Sequence, residues 1–289
     1  MKRLFLTDAM NLAYRIAYVP SFSDLRTSTG RPTGILHGFL TSMMSETGRD
    51  DCIIVVWDSR SERKRKAFSG YKAGRDNKDA IGQALVNDVQ TQLPTLRRIL
   101  SLMGILQYHV MGYEADEVIG QLAINSSLPV TIMSEDKDFL QLVSKRIHIL
   151  QPIRNRLITE ENFGRYYMGL TPEDYFQFRL FTGDESDEIP GIPGCGEKTA
   201  LEIVRNNGKT QGKLEIKLRK KIDKDSIFDI VQRNFHLMSL AYESVTRIAM
   251  DEGRIIPCEN SQRLYNMLMA LELKQVAEIW KRRTGNARR

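Results

Sequence analysis

Apolar runs that stop abruptly at an acid recur through the first half of the chain. Residues 2–7 read as a strand with Asp8 at its end. Residues 52–57 are continuously apolar and rich in β-branched side chains, as a strand buried on both faces should be, and Asp58 follows them. Residues 129–133 read as a third buried strand, which empties into Ser134-Glu135-Asp136-Lys137-Asp138. Residues 147–150 predict a further strand. The intervening stretches carry helical spacing: residues 34–44, then Leu85, Val89, Leu93, Leu96 and Leu100, with Pro94 predicting a kink. Strands alternating with helices predict an α/β protein with a mostly parallel central sheet.

Glu114, Asp116 and Glu117 open a further helix whose buried face is Val118, Ile119, Leu122 and Ala123. Carboxylates in a first helical turn are ordinary, because the backbone N–H groups there favour negative charge. A buried strand running straight into alternating carboxylates is not. Ligands of open α/β sheets gather at the carboxyl ends of the strands, where such acids converge. Two acid clusters with no His or Cys among them suit hard divalent cations. Taken alone, that stretch is equally compatible with solvated turn residues. Three predicted strands ending in Asp8, Asp58 and Asp136 tip the balance towards one shared site.

Between Arg60 and Arg75 lie seven Lys or Arg residues against a single acid, Glu62, interrupted by Phe68 and Tyr71. Basic and aromatic residues together grip single-stranded nucleic acid through backbone charge and base stacking. Arg63, Lys64, Lys66 and Tyr71 are the candidate contacts, on a segment that would overhang the carboxylates. From Thr171-Pro172 the pattern turns helical through Tyr175, Phe176, Phe178 and Leu180, which places a boundary between units 1–171 and 172–289. Within the second unit Asp184 and Asp187 precede a tight Gly/Pro hairpin at 189–196, and Lys198 and Thr199 lie in the first turn of the next helix. Two helices around such a turn present backbone N–H groups to a phosphate. Residues 205–224 carry eight Lys or Arg residues against Glu215 and Asp223, and a plain solvated surface explains them at least as well. Residues 228–280 read as helical support, and 282–289 as a basic tail.

Composition adds a few exclusions. No apolar run approaches the roughly 20 residues that span a bilayer, and the apolar start at 4–6 is too short for a secretory signal. Cys52, Cys195 and Cys258 are too few and too scattered for a disulfide framework or a zinc site. A cytoplasmic protein is expected, with no membrane partner. The net charge is +6. With many carboxylates gathered at one centre the remaining surface is more basic still, which suits a polyanion whose reacting phosphate meets metal ions.

Seven segments carry a resemblance: LTDAMNLAYR at 6–15, TGRPTGILHGFL at 29–40, VVWD at 55–58, YKAGR at 71–75, GYEADEVIG at 112–120, EDKDFLQLV at 135–143 and GDESDEIPGIPGCGEKTALEIV at 183–204. In this order they resemble the structure-specific 5′-nucleases of the flap-endonuclease superfamily. The similarity is greatest to the 5′-nuclease domain of bacterial DNA polymerase I and its stand-alone phage and bacterial relatives. The resemblance implies a PIN-like (resolvase-like) sheet, a helical arch at about 60–85, and a helix-three-turn-helix motif at about 181–206 within a helical C-terminal subdomain. It implies that Asp8, Asp58, Glu114, Asp116 and Glu117 lie around one metal, and Asp136, Asp138, Asp184 and Asp187 around a second. Lys72 and Arg75 match basic residues that hold the reacting phosphate, and Arg15 matches one on the DNA path. Gly191, Gly194, Gly196, Lys198 and Thr199 match the turn that holds duplex DNA, often around K⁺. The chain departs from the pattern at Glu117, where Asp is usual, at Glu188, where Asn is usual, and at Glu135, where a small residue is common.

The expected chemistry is in-line phosphodiester hydrolysis at two Mg²⁺ ions about 4 Å apart, with Mn²⁺ able to substitute. None of His37, His109, His148 or His236 falls within the clusters. The expected substrate is 5′-flap or branched DNA, or an RNA–DNA hybrid, cut near the junction with some 5′→3′ exonuclease activity, in primer removal or repair. A monomer is expected, coupled in trans to a polymerase or a single-strand-binding protein. Two other readings compete. A junction binder without catalysis gains nothing from carboxylates where DNA must sit, and a PIN-type ribonuclease would lack the Gly/Pro hairpin.

Overall fold

The computed structural model describes residues 2–73, 80–206, 224–241, 245 and 247–284. The apolar runs form β1 (Leu4–Asp8), β2 (Cys52–Val56), β3 (Leu106–Tyr108), β4 (Val130–Met133), β5 (Ile147–Gln151) and β6 (Arg156–Ile158). β7 (Gly183–Asp184) and β8 (Ile189–Pro190) pair with each other in a small antiparallel ladder, and β9 (Arg254–Ile255) lies near the C-terminus. The main sheet has the order β6-β5-β4-β1-β2-β3-β9. Its five inner strands are parallel, and β6 and β9 are antiparallel edges.

Helices cover both faces, which is why β1 is buried at every position and β2 along its last three. Side chains alternate between the two layers. Leu4, Leu6, Ile54 and Val56 enter one core with Val118 and Ile119. Phe5, Val55 and Trp57 enter the other with Phe39 and Leu96. The chain leaves β1 for β2 and β3 on one side and returns to β4 and β5 on the other, so the order reverses between β1 and β4. A crevice at the carboxyl ends of the strands forms at such a reversal. Asp8 is the last residue of β1, beside Val56. Asp58 lies two residues beyond β2, and the run from Ser134 to Asp138 follows β4 directly.

The helix Ala80–Leu102 runs through Pro94 without a break in its assignment. The change of pattern at 171/172 does not divide the core. Arg254 and Ile255 extend the main sheet beside β3, and Leu264, Leu268, Val276 and Ala277 pack into the layer that holds Phe5 and Trp57. Two-residue strands and amphipathic helices leave little pattern to read, so this return to the first unit had no signature in the sequence.

Past the helix Pro172–Thr182 the chain turns back on itself at β7 and β8, just ahead of the Gly/Pro turn expected at 189–196. Gly183 has φ 74°, and a Cβ there would lie 2.2 Å from the carbonyl oxygen of Ile189. A Cβ on Gly191 would lie 2.4 Å from the Thr182 backbone, so only glycine lets these strands approach. Gly196 then caps the helix Glu197–Arg205.

Candidate metal centre

Two groups of carboxylates meet at the carboxyl edge of the sheet. The first is built on the helix Ala115–Ile124, with Glu114 as N-cap and Asp116 and Glu117 in the first turn. One carboxylate oxygen from each lies within 4.8 Å of the others, and all three side chains are buried. So much buried negative charge is tolerable only with cations beside it. They come from the segment after β2. Lys64, only 1% exposed, donates from Nζ to Glu114 Oε2 at 2.9 Å and to Asp116 Oδ2 at 3.2 Å. Lys72 Nζ donates to Glu114 Oε1 at 2.8 Å, and Arg63 pairs with Glu117 Oε1 at 2.5 Å. The Tyr71 hydroxyl donates to Glu114 Oε2 at 2.7 Å and approaches Asp187 Oδ2 at 3.3 Å.

Asp58 and Asp8 tie this group to the strands. Asp58 Oδ1 accepts from the Ala115 N–H at 2.9 Å, joining the end of β2 to the start of the helix. Asp8 caps the helix Ala9–Ala17 by accepting from the Asn11 N–H at 3.1 Å, and takes a second bond from Ser134 Oγ at 3.2 Å. Burial pushes the Asp8 carboxyl up to about 7, with the Asp136 and Asp58 charges adding to it. Burial also opposes the Glu114 charge, yet the Lys64 and Lys72 ammonium groups hold it down to about 2. At Asp116 burial prevails, and its carboxyl is raised.

The second group draws on two distant segments. Asp136 and Asp138 follow β4, and Asp136 Oδ1 accepts from the Asp138 N–H at 2.9 Å. Asp184 ends β7, and Asp187 closes the short 3-10 turn Glu185–Asp187. Burial, helped by the Asp138 charge, pushes Asp136 up to about 6. Arg179, 6% exposed, donates from its two terminal nitrogens to Asp138 Oδ1 and Asp184 Oδ2. Nothing in the sequence pattern singled out Arg179. Its signal is a lone arginine in the apolar helix that leads to the paired acids. Lys72 links the groups, because its backbone N–H donates to the Asp187 carbonyl at 3.1 Å and its Nζ lies 3.6 Å from Asp187 Oδ2.

The overhanging segment therefore reaches the carboxylates, but not all of it faces outward. Lys64 and Tyr71, expected on a nucleic-acid-gripping surface, are buried beneath it and bonded to the acids. A charge run at helical spacing does not tell which lysine turns inward. Lys66 is exposed, and Arg63 is partly so. Arg75 lies outside the described residues, as does part of the expected arch. Of the three departures, Glu135 turns away from the centre to accept from the Ile153 N–H at 2.9 Å and to pair with Arg154 at 2.6 Å. Glu188 stands at φ 56°, a left-handed conformation that Asn adopts more readily than Glu. Glu117 uses its longer arm to reach back to the Glu114 N–H at 2.8 Å.

A cleft of about 1120 Å³ runs from Asp136, Asp184 and Asp187 to Gly196 and Glu197. A smaller one of about 310 Å³ holds Asp8, Asp58, Glu114, Asp116 and Asp136. Asn11, Arg15 and Asp136 line both, so the turn before the helix Glu197–Arg205 opens onto the same trough as the acids. Lys198 is exposed in the first turn of that helix, and Thr199 is buried behind it. Among the described residues the acid group on the helix Ala115–Ile124 contains no His or Cys. Its all-oxygen donor set fits hard divalent cations. Asp8, desolvated and bonded only to neutral donors among the described residues, fits a cation as well.

A mostly parallel sheet with acids at its switch point is the arrangement of resolvase-like domains. The chain belongs to the 5′-3′ exonuclease family: the model of the 5′-3′ exonuclease N-terminal resolvase-like domain matches residues 3–168. It is 30% identical to a 5′-3′ exonuclease of Aquifex aeolicus, over 97% of both chains. It is 37% identical to the thermostable DNA polymerase I of Thermus aquaticus over 74% of its own length, and spans 25% of that polymerase. Among solved structures it shares its fold with the bacteriophage T5 flap endonuclease in complex with DNA and metal ions, at TM-score 0.65 and 16% identity over 99% of this chain and 98% of that one. Flap endonuclease-1 from Methanococcus jannaschii gives TM-score 0.60 at 17% identity, over 99% and 94%.

Proposed function

We propose that the protein is a divalent-metal-dependent 5′-nuclease. It hydrolyses phosphodiester bonds in 5′-flap and branched DNA near the junction, with 5′→3′ exonuclease activity, in primer removal or repair. The observation that carries this reading is the convergence of Asp8, Asp58, Glu114, Asp116, Asp136, Asp184 and Asp187, from separate segments, on one trough that continues to the turn at Gly196, with Glu117 and Asp138 buried nearby. Asp8, Asp58, Glu114, Asp116 and Glu117 form one side, and Asp136, Asp138, Asp184 and Asp187 the other. Two Mg²⁺ ions, or Mn²⁺ in their place, would supply an activated water and stabilise the leaving 3′-oxygen.

The chain's own residues do the rest. Lys72, shared between Glu114 and Asp187, lies where a phosphate over the acids would meet it, and offsets charge developing there. Arg75 is assigned the same task by its place in the YKAGR segment. Arg15, exposed on the rim of both clefts, guides the DNA backbone, and Lys66 extends that path. Gly191, Gly194, Gly196, Lys198 and Thr199 form a helix-three-turn-helix that holds the duplex arm through backbone N–H groups, with K⁺ as its companion ion. Residues 60–85 act as an arch, and the protein works as a monomer beside a polymerase or a single-strand-binding protein.

The test is cleavage of an end-labelled 5′-flap duplex with Mg²⁺, with Ca²⁺ and with chelator, for wild type and Asp136→Asn. Cleavage at the junction is expected with Mg²⁺ alone, reduced at least a thousandfold in the variant. Tight binding in Ca²⁺ without cleavage in Mg²⁺ or Mn²⁺ would sink the enzymatic reading.

A further inference from the structure

Arg179 sits on the helix Pro172–Thr182 beside Tyr175, Phe178 and Leu180, all of them buried. An arginine taken out of water needs ionic partners to offset its lost hydration. It has two, Asp138 and Asp184, held by the two arms of one guanidinium fork. The fork joins a residue that follows β4 to one that ends β7. Asp184 is fully engaged by the protein itself. Its Oδ2 takes the Arg179 bond, and its Oδ1 accepts from Ser186 N–H at 2.8 Å and Ser186 Oγ at 2.6 Å.

We propose that Arg179 is a positioning residue that locks Asp138 and Asp184 together and, as a permanent positive charge among four carboxylates, weakens cation binding at the second group. The inference rests on the metal-dependent reading. The cations of the first group, Arg63, Lys64 and Lys72, come from a segment separate from the helix that carries the acids. Arg179 lies five residues before Asp184, in the last turn of the helix that leads to it, so its backbone moves only with that helix. A cation at the second group must share Asp138 and Asp184 with the guanidinium. The negative charge that Arg179 cancels is restored by the substrate phosphate, so this cation binds weakly alone and more tightly once the substrate is present.

The test titrates the full chain, without DNA, with Mn²⁺ at pH 8, by calorimetry and by the electron paramagnetic resonance signal of free Mn²⁺. Wild type is expected to bind two ions of clearly different affinity. R179M should leave the tighter ion unchanged and tighten the weaker one at least tenfold. R179K, which keeps the charge but not the fork, should tighten the weaker ion far less than R179M. R179Q, which keeps hydrogen-bond donors without charge, should show the same tightening as R179M and serves if the methionine variant fails to fold. A weaker ion that binds the neutral variants no more tightly than wild type would overturn the proposal. Wild type that binds no Mn²⁺ would overturn the metal-dependent reading itself, which the Asp136→Asn cleavage assay tests separately.

Discussion

In the group on the helix Ala115–Ile124 the acids are local and the cations are imported, whereas in the second group the acids are imported and the cation is local. Glu114, Asp116 and Glu117 fall within four residues, and their positions follow from one helical turn. Arg63, Lys64 and Lys72 reach them from the segment after β2. Asp138 and Asp184 stand 46 positions apart, and Arg179 draws them together. A cation can neutralise acids that the backbone has already gathered, or it can do the gathering. The first kind is free to move with its segment when another cation or a phosphate arrives. The second kind is part of the scaffold.

The largest effect expected from breaking this contrast is at Glu114. Glu114→Gln removes the nearest partner of the buried Lys64 and leaves it with Asp116 alone, at 3.2 Å. It also takes a charged acceptor from Tyr71 and Lys72. Removing one partner of a buried pair costs about 3–5 kcal/mol. Urea unfolding in chelator should show a loss of that size. A loss below about 1 kcal/mol would mean that Lys64 swings out to water, so that imported cations are even looser than the contrast requires.

A smaller effect should appear in the pH dependence of the metal-free fold. Asp8 and Asp136, raised by burial to about 7 and about 6, hold protons in the folded state that the unfolded chain has released. Stability then falls as pH rises from about 4 to about 7. Glu114 acts in the opposite sense. Lowered to about 2, it contributes stability that is fully present above its ordinary value of 4.5 and is lost as pH falls towards 2. The unfolding midpoint in chelator should therefore peak near about pH 4. Excess divalent cation should flatten the arm above it, since the ion takes the place of the proton. A midpoint that stays level from pH 4 to 7 in chelator would show that water reaches Asp8 and Asp136.

The same division between local and imported residues decides how much of the molecule is legible in the sequence. β1, β2, β4 and β5 were legible because burial on both faces forces continuous apolar runs. The acids after them were legible because a buried strand rarely ends in carboxylates for any structural reason. The helix that begins after Glu114 declared itself by its acid-rich first turn. Lys64 and Tyr71 were misplaced because a basic run looks the same whether one lysine points outward or into a buried acid pair. Arg179 was missed because its partners, 41 and five residues away, meet only in the fold. β9 went unread for a related reason. Two residues, Arg254 and Ile255, carry too little pattern to announce that the chain returns to the sheet.

Glu117→Asp should have the smallest effect and probes the imported side of the comparison most finely. Glu117 Oε2 accepts from the Glu114 N–H at 2.8 Å while Oε1 holds Arg63. An aspartate has one methylene less with which to span both. The helix Pro172–Thr182 already carries an aspartate at the equivalent place in its first turn. There Asp174 Oδ2 accepts from the Thr171 N–H at 3.4 Å, a stretched version of the same bond. Glu117→Asp should therefore weaken the cap and loosen Arg63, for a loss of about 0.5–1 kcal/mol in urea unfolding, with flap cleavage within about threefold of wild type. A loss above about 2 kcal/mol would mean that Arg63 is bound to its acid as firmly as Arg179 is to Asp138 and Asp184. In that case distance along the chain would not decide whether a cation is scaffold or visitor, and the contrast would fail at this residue.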